Sequence, residues 1–179
     1  MTEETKKTIH SSFWANIFHP STEQDELLKS LQEIPLFKSL SQRDLLNLTS
    51  IIHKRNYLAG EYIFYQGDPG IGLYIIRDGE VMINLESDEG DKITLAVFQK
   101  GDFFGELALV DNDKRSASAV AQSDTKLSVI FKPDLDEFIQ KYPRKGIKIL
   151  AGIAEITAMR LRILNEDYFN LRKEKNKRG

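Results

Sequence analysis

Residues 103–120 read FFGELALVDNDKRSASAV, and the interpretation of the fold starts from this stretch. A Gly-Glu pair opens a short apolar turn, and an Arg-Ser-Ala run follows after a polar, acidic loop. Gly105 permits a tight turn, and the backbone N–H groups at the start of the turn favour a phosphate. Arg115 can pair with the same phosphate through two parallel hydrogen bonds. The Glu106 carboxylate needs neutral donors beside an anion, which ribose hydroxyls supply, so the stretch predicts a nucleotide site.

These residues resemble the phosphate-binding cassette of the cyclic nucleotide-binding domain family, and the resemblance extends over residues 34–171. In that family the glutamate binds the ribose 2′-hydroxyl and the arginine binds the cyclic phosphate. Backbone N–H groups near the alanine also donate to the phosphate. The ligand-binding positions that the resemblance implies are Gly105, Glu106, Leu107, Ala108, Arg115, Ser116 and Ala117.

The resemblance also implies where the base of the nucleotide lies. Alignment on two turn glycines places Ile83 and Leu95 in the walls of the base pocket. Counting from the proline that begins the long helix, the positions that reach adenine in the family's transcription factors fall on Arg160 and Leu161. The walls are apolar and do not discriminate between bases, and the Ser116 hydroxyl can bond either the phosphate or a purine edge. We expect cyclic AMP as the ligand and leave cyclic GMP open.

The composition is that of an ordinary soluble protein, with 41% hydrophobic residues, 29% charged residues and a formal net charge of −2. The chain therefore has no global basic field that would draw it to nucleic acid. Cysteine is absent, which excludes disulfides and thiolate metal sites. The N-terminus lacks the apolar run that follows the charged residues of a secretory signal, and no apolar stretch is long enough to span a bilayer. We expect a cytoplasmic protein.

The residues do not suggest an enzyme. His10, His19 and His53 are the only histidines, and their wide spacing does not resemble the ligand cluster of a metal enzyme. A Gly-x-Ser-x-Gly elbow and a Gly-x-x-x-x-Gly-Lys motif are both absent from the sequence. We expect a non-catalytic protein with no metal and no cofactor other than the nucleotide it binds.

Short β-rich runs separated by glycine turns occupy residues 53–132. Many short strands with regular turns predict a closed sandwich or barrel. The family resemblance narrows this to a mainly β fold with flanking helices (α+β), an eight-stranded jelly-roll β-roll followed by a long C-terminal helix. The runs that read as strands are 61–65, 73–76, 81–85, 93–98, 116–121 and 126–131.

The chain divides into four segments. They are a mobile N-terminal segment (1–22), the β-roll with its flanking helices (23–143), the long helix (144–172) and a basic tail (173–179). The aromatic run 13–18, FWANIF, either folds back onto the domain or anchors a partner or a membrane surface. Helical spacing predicts helices over 23–34, 41–52 and 134–141, the first stopped by Pro35, with Ser41 and Asp44 suited to a capping box at the start of the second.

The long helix carries two apolar rows. One row alternates at three and four residues, which is a heptad seam, and the other lies on a different side of the helix. We expect the second row to pack on the β-roll and the seam to bind a twin helix in a homodimer; one broad face on a single core is the alternative. The seam comprises Ile147, Leu150, Ala154, Thr157, Leu161, Leu164, Tyr168 and Leu171, and the second row comprises Ile149, Ile153, Ile156 and Ile163.

The family's transcription factors continue past the long helix into a helix-turn-helix domain, whereas this sequence ends there. We therefore expect a stand-alone cyclic nucleotide sensor that signals to an unknown downstream protein by conformational change, without direct nucleic acid binding. One alternative is a transcriptional-regulator-like dimerisation module without its own DNA-binding domain, and another is a ligand-free structural β-roll. Arg160 also has an alternative, in which it lies in solvent beside Glu155 or Asp167.

Overall fold

The computed structural model describes residues 23–87, 90–110 and 113–178, so the aromatic run 13–18 lies outside the described residues. The helices are α1 (Glu23–Glu33), α2 (Gln42–Leu48), α3 (Lys132–Lys141) and α4 (Pro143–Arg178), with 3₁₀ turns at Pro35–Phe37, Thr49–Ile51 and Glu106–Leu109. The strands are β1 (Ile52–Tyr57), β2 (Tyr62–Phe64), β3 (Gly72–Asp78), β4 (Glu80–Glu86), β5 (Lys92–Gln99), β6 (Phe103–Phe104), β7 (Ser118–Ala121) and β8 (Thr125–Phe131).

Within this part of the chain the eight strands form two four-stranded antiparallel sheets, ordered β1-β8-β3-β6 and β2-β7-β4-β5. Alternation along β3 separates two cores, because successive side chains point to opposite faces. Tyr74 and Ile76 are buried between the sheets, whereas Leu73 and Ile75 are buried against the helices. The arrangement confirms the predicted eight-stranded β-roll with flanking helices.

The residue pattern did not predict two of the strands, β1 and β6. β1 reads IHKRNY and lacks the apolar alternation that identifies a strand, and its residues 54–56 are exposed. It pairs with β8 along its whole length, from Ile52 opposite Ile130 to Tyr57 opposite Thr125. β6 has only two residues and pairs with β3. Both strands are therefore defined by their partners in the sheet rather than by local pattern.

The start of α2 confirms the predicted capping box. The Ser41 hydroxyl accepts from the backbone N–H of Asp44, and the Asp44 carboxylate accepts from the backbone N–H of Ser41. The same carboxylate lies 3.4 Å from Lys145 Nζ and 3.7 Å from Lys148 Nζ at the start of α4. The cap of one helix therefore also anchors the first turns of the long helix.

The end of α2 differs from the prediction that it runs to residue 52. The helix stops at Leu48, a 3₁₀ turn follows, and Ile52 begins β1. The hydroxyls of Thr49 and Ser50 each donate to the carbonyl three residues earlier, at 2.8 Å. Such local bonds compete with the backbone ladder of a helix, which explains the early end.

The first half of α4 packs closely on the helical side of the domain. Ile149, Ile153 and Ile156 are buried there. Gly152 faces the backbone of Leu36 so closely that an added Cβ would overlap the Leu36 carbonyl oxygen. The second apolar row, predicted to pack on the β-roll, is buried in a core that the flanking helices share with one face of a sheet, except for Ile163, which is exposed.

The second half of α4 runs to Arg178, past the predicted boundary at residue 172. Lysine, glutamate and arginine are good helix formers, and no proline or glycine interrupts the segment, so nothing local ends the helix. Residues 161–178 form the segment that we call the distal helix. In the described ranges, no helix combines the length and the hydropathy that crossing a lipid bilayer requires.

Candidate functional site

A left-handed glycine forms the entrance to the predicted anion-binding turn. β6 leads into Gly105, which has a φ of 76° and is followed by the 3₁₀ turn Glu106–Leu109. A Cβ at Gly105 would lie 2.7 Å from Arg115 Nη1 and 3.0 Å from the Gly72 carbonyl oxygen. Both the dihedral angle and the close approach therefore require glycine. The first N–H groups of such a turn have no acceptor inside it, which leaves donors for a ligand.

Arg115 is 7% exposed and lies on the floor of the site. Its Nη2 donates to the Gly72 carbonyl at 3.0 Å, and its Nη1 donates to the Gly105 carbonyl at 3.3 Å. Its Cζ lies 4.2 Å from the centroid of the Phe64 ring and 5.4 Å from that of Tyr74. Burial raises the pKa of the Tyr74 hydroxyl, an effect that the adjacent Arg115 charge opposes. The guanidinium is thus held by backbone carbonyls and aromatic rings.

An ion pair joins the turn to α4. Arg160 Nη1 donates to Glu106 Oε1 at 2.5 Å, and Arg160 Nη2 donates to the Phe103 carbonyl at 3.4 Å. Glu106 is 2% exposed, whereas the Arg160 side chain is 40% exposed. The alternative that Arg160 lies in solvent beside Glu155 or Asp167 is therefore wrong. Its charge is instead directed into the site from the helix.

A cavity of about 370 Å³ lies between the β-roll and α4, at the lower end of the range typical of small-molecule sites. It brings together ten of the eleven predicted site residues. Leu161 does not line it and is 56% exposed. Adjacent helical residues point about 100° apart, and in this helix Arg160 faces the cavity while Leu161 faces solvent. The ten residues are Ile83, Leu95, Gly105, Glu106, Leu107, Ala108, Arg115, Ser116, Ala117 and Arg160.

Seven further residues line the cavity that sequence reasoning did not select. Phe104 precedes the cassette glycine, and Asp113 and Lys114 precede the cassette arginine, so the motif itself was a signal for these three. The others come from more distant parts of the chain, and nothing local marked them. The seven are Phe64, Gly70, Ala96, Phe98, Phe104, Asp113 and Lys114.

The charged residues of the lining are Glu106, Asp113, Lys114, Arg115 and Arg160, which are two carboxylates and three cations. Their sum of +1 suits a ligand with a single negative charge. Across residues 23–87, 90–110 and 113–178, no group of three or more His, Cys, Asp or Glu side chains is arranged to hold a metal ion. The chemistry on offer is hydrogen bonding and charge pairing to an anion, beside an apolar wall.

Comparison with known proteins identifies the same region. Residues 54–142 match the family model for the cyclic nucleotide-binding domain. The chain is 38% identical over 128 residues to the cyclic AMP receptor protein of Thermus thermophilus, which covers 72% of this chain and 57% of that protein. It is 33% identical over 125 residues to a cAMP-dependent protein kinase regulatory subunit of Emericella nidulans, which covers 70% of this chain and 27% of that protein.

A solved structure supports the same assignment. The crystal structure of the catabolite activator protein of Thermus thermophilus has a TM-score of 0.69 and 36% identity, covering 76% of this chain and 62% of that chain. This chain thus spans less than two thirds of the length of each of these relatives. The sheet order, the cassette turn and the sequence matches all agree, and the chain belongs to the cyclic nucleotide-binding domain family.

Proposed function

We propose that this protein binds a cyclic purine mononucleotide, cyclic AMP first and cyclic GMP as the alternative, and that α4 transmits binding to a partner protein. One observation carries the proposal: Arg115 and Glu106 are both more than nine-tenths buried and line the same cavity. A guanidinium and a carboxylate that are held in place at one cavity can form charge-assisted hydrogen bonds with a ligand that offers complementary groups, and a cyclic phosphate and a ribose offer these groups. The names of the receptor protein and the kinase regulatory subunit refer to cyclic AMP, which supports that choice.

The phosphate contacts follow from the cassette turn. Arg115 supplies a charge-assisted hydrogen bond, and the backbone N–H groups of Leu107 and Ala108 supply further donors. Ser116 adds a hydroxyl that bonds either the phosphate or a purine edge. Ala117 lines the cavity beside it with a small side chain, which leaves room for the ligand.

The ribose contact depends on whether the Glu106 carboxylate can accept from a sugar hydroxyl and from Arg160 at the same time. A carboxylate accepts at two oxygens, and Arg160 donates to Oε1. The 2′-hydroxyl of a ribose can therefore donate to the same carboxylate without displacing Arg160. In this arrangement Arg160 orients the carboxylate that binds the sugar, while Ile83 and Leu95 form the apolar wall beside the base.

The route to a partner begins at the turn. Leu109 is buried in the same core as Ile149, Ile153 and Ile156 of α4. Glu106, at the other end of the turn, is paired with Arg160. A ligand that shifts the turn thus acts on α4 at two places, and a ligand that prefers one position of α4 shifts its population.

Calorimetry with cyclic AMP, cyclic GMP and 5′-AMP tests the ligand assignment. We expect cyclic AMP to bind more tightly than 5′-AMP, whose open phosphate differs in charge and shape. Mass spectrometry of material that co-purifies gives an independent identification. Chromatography of the nucleotide after incubation tests the expectation of a non-catalytic regulator, and we expect it unchanged. Failure of every cyclic nucleotide to bind would overturn the proposal.

A homodimer through α4 is a second part of the proposal, and the exposed seam supports it. A large apolar patch on a soluble surface marks an interaction site, and its heptad spacing fits a twin helix. The exposed seam residues are Ile147, Leu150, Leu161, Leu164 and Tyr168.

Light scattering tests the dimer. Leu161→Glu places like charges opposite each other in the seam, so we expect this variant to be monomeric where the parent is dimeric. Arg162→Glu is the matched control, because Arg162 is exposed about 100° further around the helix. A parent that is monomeric at high micromolar concentration contradicts the dimer without affecting the ligand assignment.

A further inference from the structure

We propose that Phe64 is a positioning residue for anion binding, which acts by holding the guanidinium of Arg115 on the face of its ring. The proposal rests on the proposed function, since it concerns how the phosphate contact is prepared. It assigns a role to a residue that lies outside the cassette, 51 positions before Arg115 in the chain.

The geometry of the contact is close and specific. The Cζ of Arg115 lies 4.2 Å from the Phe64 ring centroid, well inside the distance at which a cation is attracted by an aromatic face. The two backbone carbonyls that accept from Arg115 hold the edge of the same group, at 3.0 and 3.3 Å. A planar group supported on its face and held along one edge has little freedom to rotate. The site therefore keeps its cation in a fixed orientation.

The backbone around Phe64 is shaped to deliver the ring. β2 pairs with β7 with a register shift, so that Tyr62 lies opposite Val120 and Phe64 lies opposite Ala119. One extra residue, Ile63, is thus inserted in β2, which is a β-bulge. Bulges redirect side chains and are common beside functional sites. Here the redirected ring lines the cavity under the arginine.

A packing role is the competing explanation, because the Phe64 ring also packs against two other rings. Its centroid lies 5.9 Å from that of Phe104 and 5.5 Å from that of Tyr74. The two explanations differ in what a leucine does at this position. Leucine restores apolar volume but has no π-face, so it keeps much of the packing and loses the attraction for a cation. A guanidinium without that support has more rotamers available and loses orientation before the ligand arrives.

The experiment is a double-mutant cycle between Phe64→Leu and Arg115→Lys, read as cyclic AMP affinity by calorimetry. We expect Phe64→Leu to weaken binding roughly 5- to 30-fold in the parent, the range that follows from a desolvated cation–π contact. In the Arg115→Lys background the same change should cost less, roughly 2- to 3-fold, because an ammonium keeps a weaker attraction to the ring but has no planar group to orient. Phe64→Tyr keeps the π-face and should restore the parent affinity.

A matched control is available elsewhere on the β-roll. Phe131 also lies under an arginine, with the Arg55 Cζ 5.8 Å from its ring centroid, and it does not line the cavity. Phe131→Leu should leave cyclic AMP affinity unchanged. A second readout needs no ligand: in the parent, the guanidinium proton signals of Arg115 should be shifted upfield by ring currents, mainly that of Phe64 at 4.2 Å, with a smaller part from Tyr74 at 5.4 Å. This measurement applies even if Phe64→Leu does not fold.

The outcomes separate the two hypotheses. If Phe64→Leu binds as tightly as the parent while Arg115→Ala does not, the positioning role is wrong and the proposed function stands. Equal losses in both backgrounds, or Arg115 signals without a ring-current shift, identify Phe64 as packing only and also overturn the role. A parent that binds no cyclic nucleotide overturns the proposed function, and the positioning role fails with it.

Discussion

The cavity has two walls that hold their cations in different ways. On the β-roll side, Arg115 is buried and is held by two backbone carbonyls and two aromatic rings. On the α4 side, Arg160 is 40% exposed and pairs with one carboxylate and one carbonyl, and its Cζ lies farther from two rings, 5.3 Å from the centroid of Phe103 and 6.0 Å from that of Phe98. Strands, a bulge and a left-handed glycine position the first cation, whereas one helix positions the second.

The difference between the walls suggests a division of roles. The strand wall, which contains Arg115, is prepared before a ligand arrives, because both its cation and the groups that hold it belong to the two sheets and their turns. We expect the helix wall, which contains Arg160, to move, because the distal helix follows Arg160 and its described side chains, at 161–170, 172, 173 and 176, are exposed. A preorganised wall provides affinity, and a wall on a mobile element converts binding into a signal. The predictions below test this division.

The largest effect is expected at the strand wall. Arg115→Ala should weaken cyclic AMP binding by roughly 2–5 kcal/mol, as truncating one partner of a desolvated charged hydrogen bond does. Calorimetry measures the loss. Arg55→Ala is the matched control, because Arg55 also lies over a ring, that of Phe131, but outside the cavity. Unaltered affinity in Arg115→Ala would show that the phosphate binds elsewhere.

The anchor of the helix wall gives the next effect. Gly152→Ala forces a Cβ onto the Leu36 carbonyl, and since both partners are backbone, overpacking should lower the free energy of unfolding by about 1–3 kcal/mol. Gly146→Ala is the comparison in the same helix, because its added Cβ would lie 2.7 Å from Cγ2 and 2.8 Å from Cγ1 of the Ile139 side chain rather than against backbone. A β-branched side chain yields less easily than a flexible one, but more easily than a carbonyl in the backbone, and the better helix propensity of alanine should offset part of the contact, so we expect a smaller loss.

Urea unfolding of the two glycine variants gives the comparison. If Gly152→Ala is as stable as Gly146→Ala, the close approach to Leu36 does not hold α4 in place. In that case the first half of the helix would be held by its buried isoleucines and by the ion pairs of Asp44 rather than by this contact.

Local chemistry explains which parts of this molecule were predictable. The capping box of Ser41 and Asp44 lies within four residues, and the cassette turn lies within one stretch, so both were read correctly. β1 is polar and β6 is two residues long, so only their sheet partners reveal them. The eight-stranded architecture came from the family resemblance rather than from the strand pattern.

The site shows the same limit. The sequence contains Glu106 and Arg160, but it does not reveal that they pair across 54 residues, because this depends on the path of α4. Counting along the helix predicted Leu161 in the pocket, but Leu161 does not line the cavity, because it lies about 100° further around the helix than Arg160. Phe64 carried no local signal, because its position depends on a register shift against β7.

Arg160→Ala is expected to have a smaller effect than either change above. Its partner Glu106 is buried, but the Arg160 side chain is partly solvated, so we expect roughly 1–2 kcal/mol of lost cyclic AMP affinity. Hydrogen exchange across residues 151–168 should show ligand-induced protection in the parent and less in the variant. Arg160→Lys keeps the positive charge and should recover part of the ligand-induced protection. Equal protection in parent and Arg160→Ala would leave Arg160 without a role in coupling.

The smallest effect concerns the base of the helix wall, where Asp44 meets Lys145. The Ser41 hydroxyl lowers the pKa of Asp44; burial works the other way, while the Ser41 backbone N–H and Lys145 lower it further. When folding lowers the pKa of a carboxylate, its ionised form stabilises the protein at pH values above the pKa of the unfolded state, which is about 3.9. This stabilisation is lost as the pH falls through the lower pKa of the folded state.

Asp44→Asn should therefore destabilise the protein at pH 7 by at most about 1 kcal/mol, the size of a helix cap, and the difference from the parent should shrink as the pH falls below about 4. Urea unfolding at several pH values measures this, and Asp136→Asn, at an exposed position of α3, controls for the change in net charge. A difference that stays constant down to pH 3 would mean that the side-chain charge of Asp44 does not hold α4. The start of the helix wall would then depend on apolar packing and on the contact at Gly152 alone.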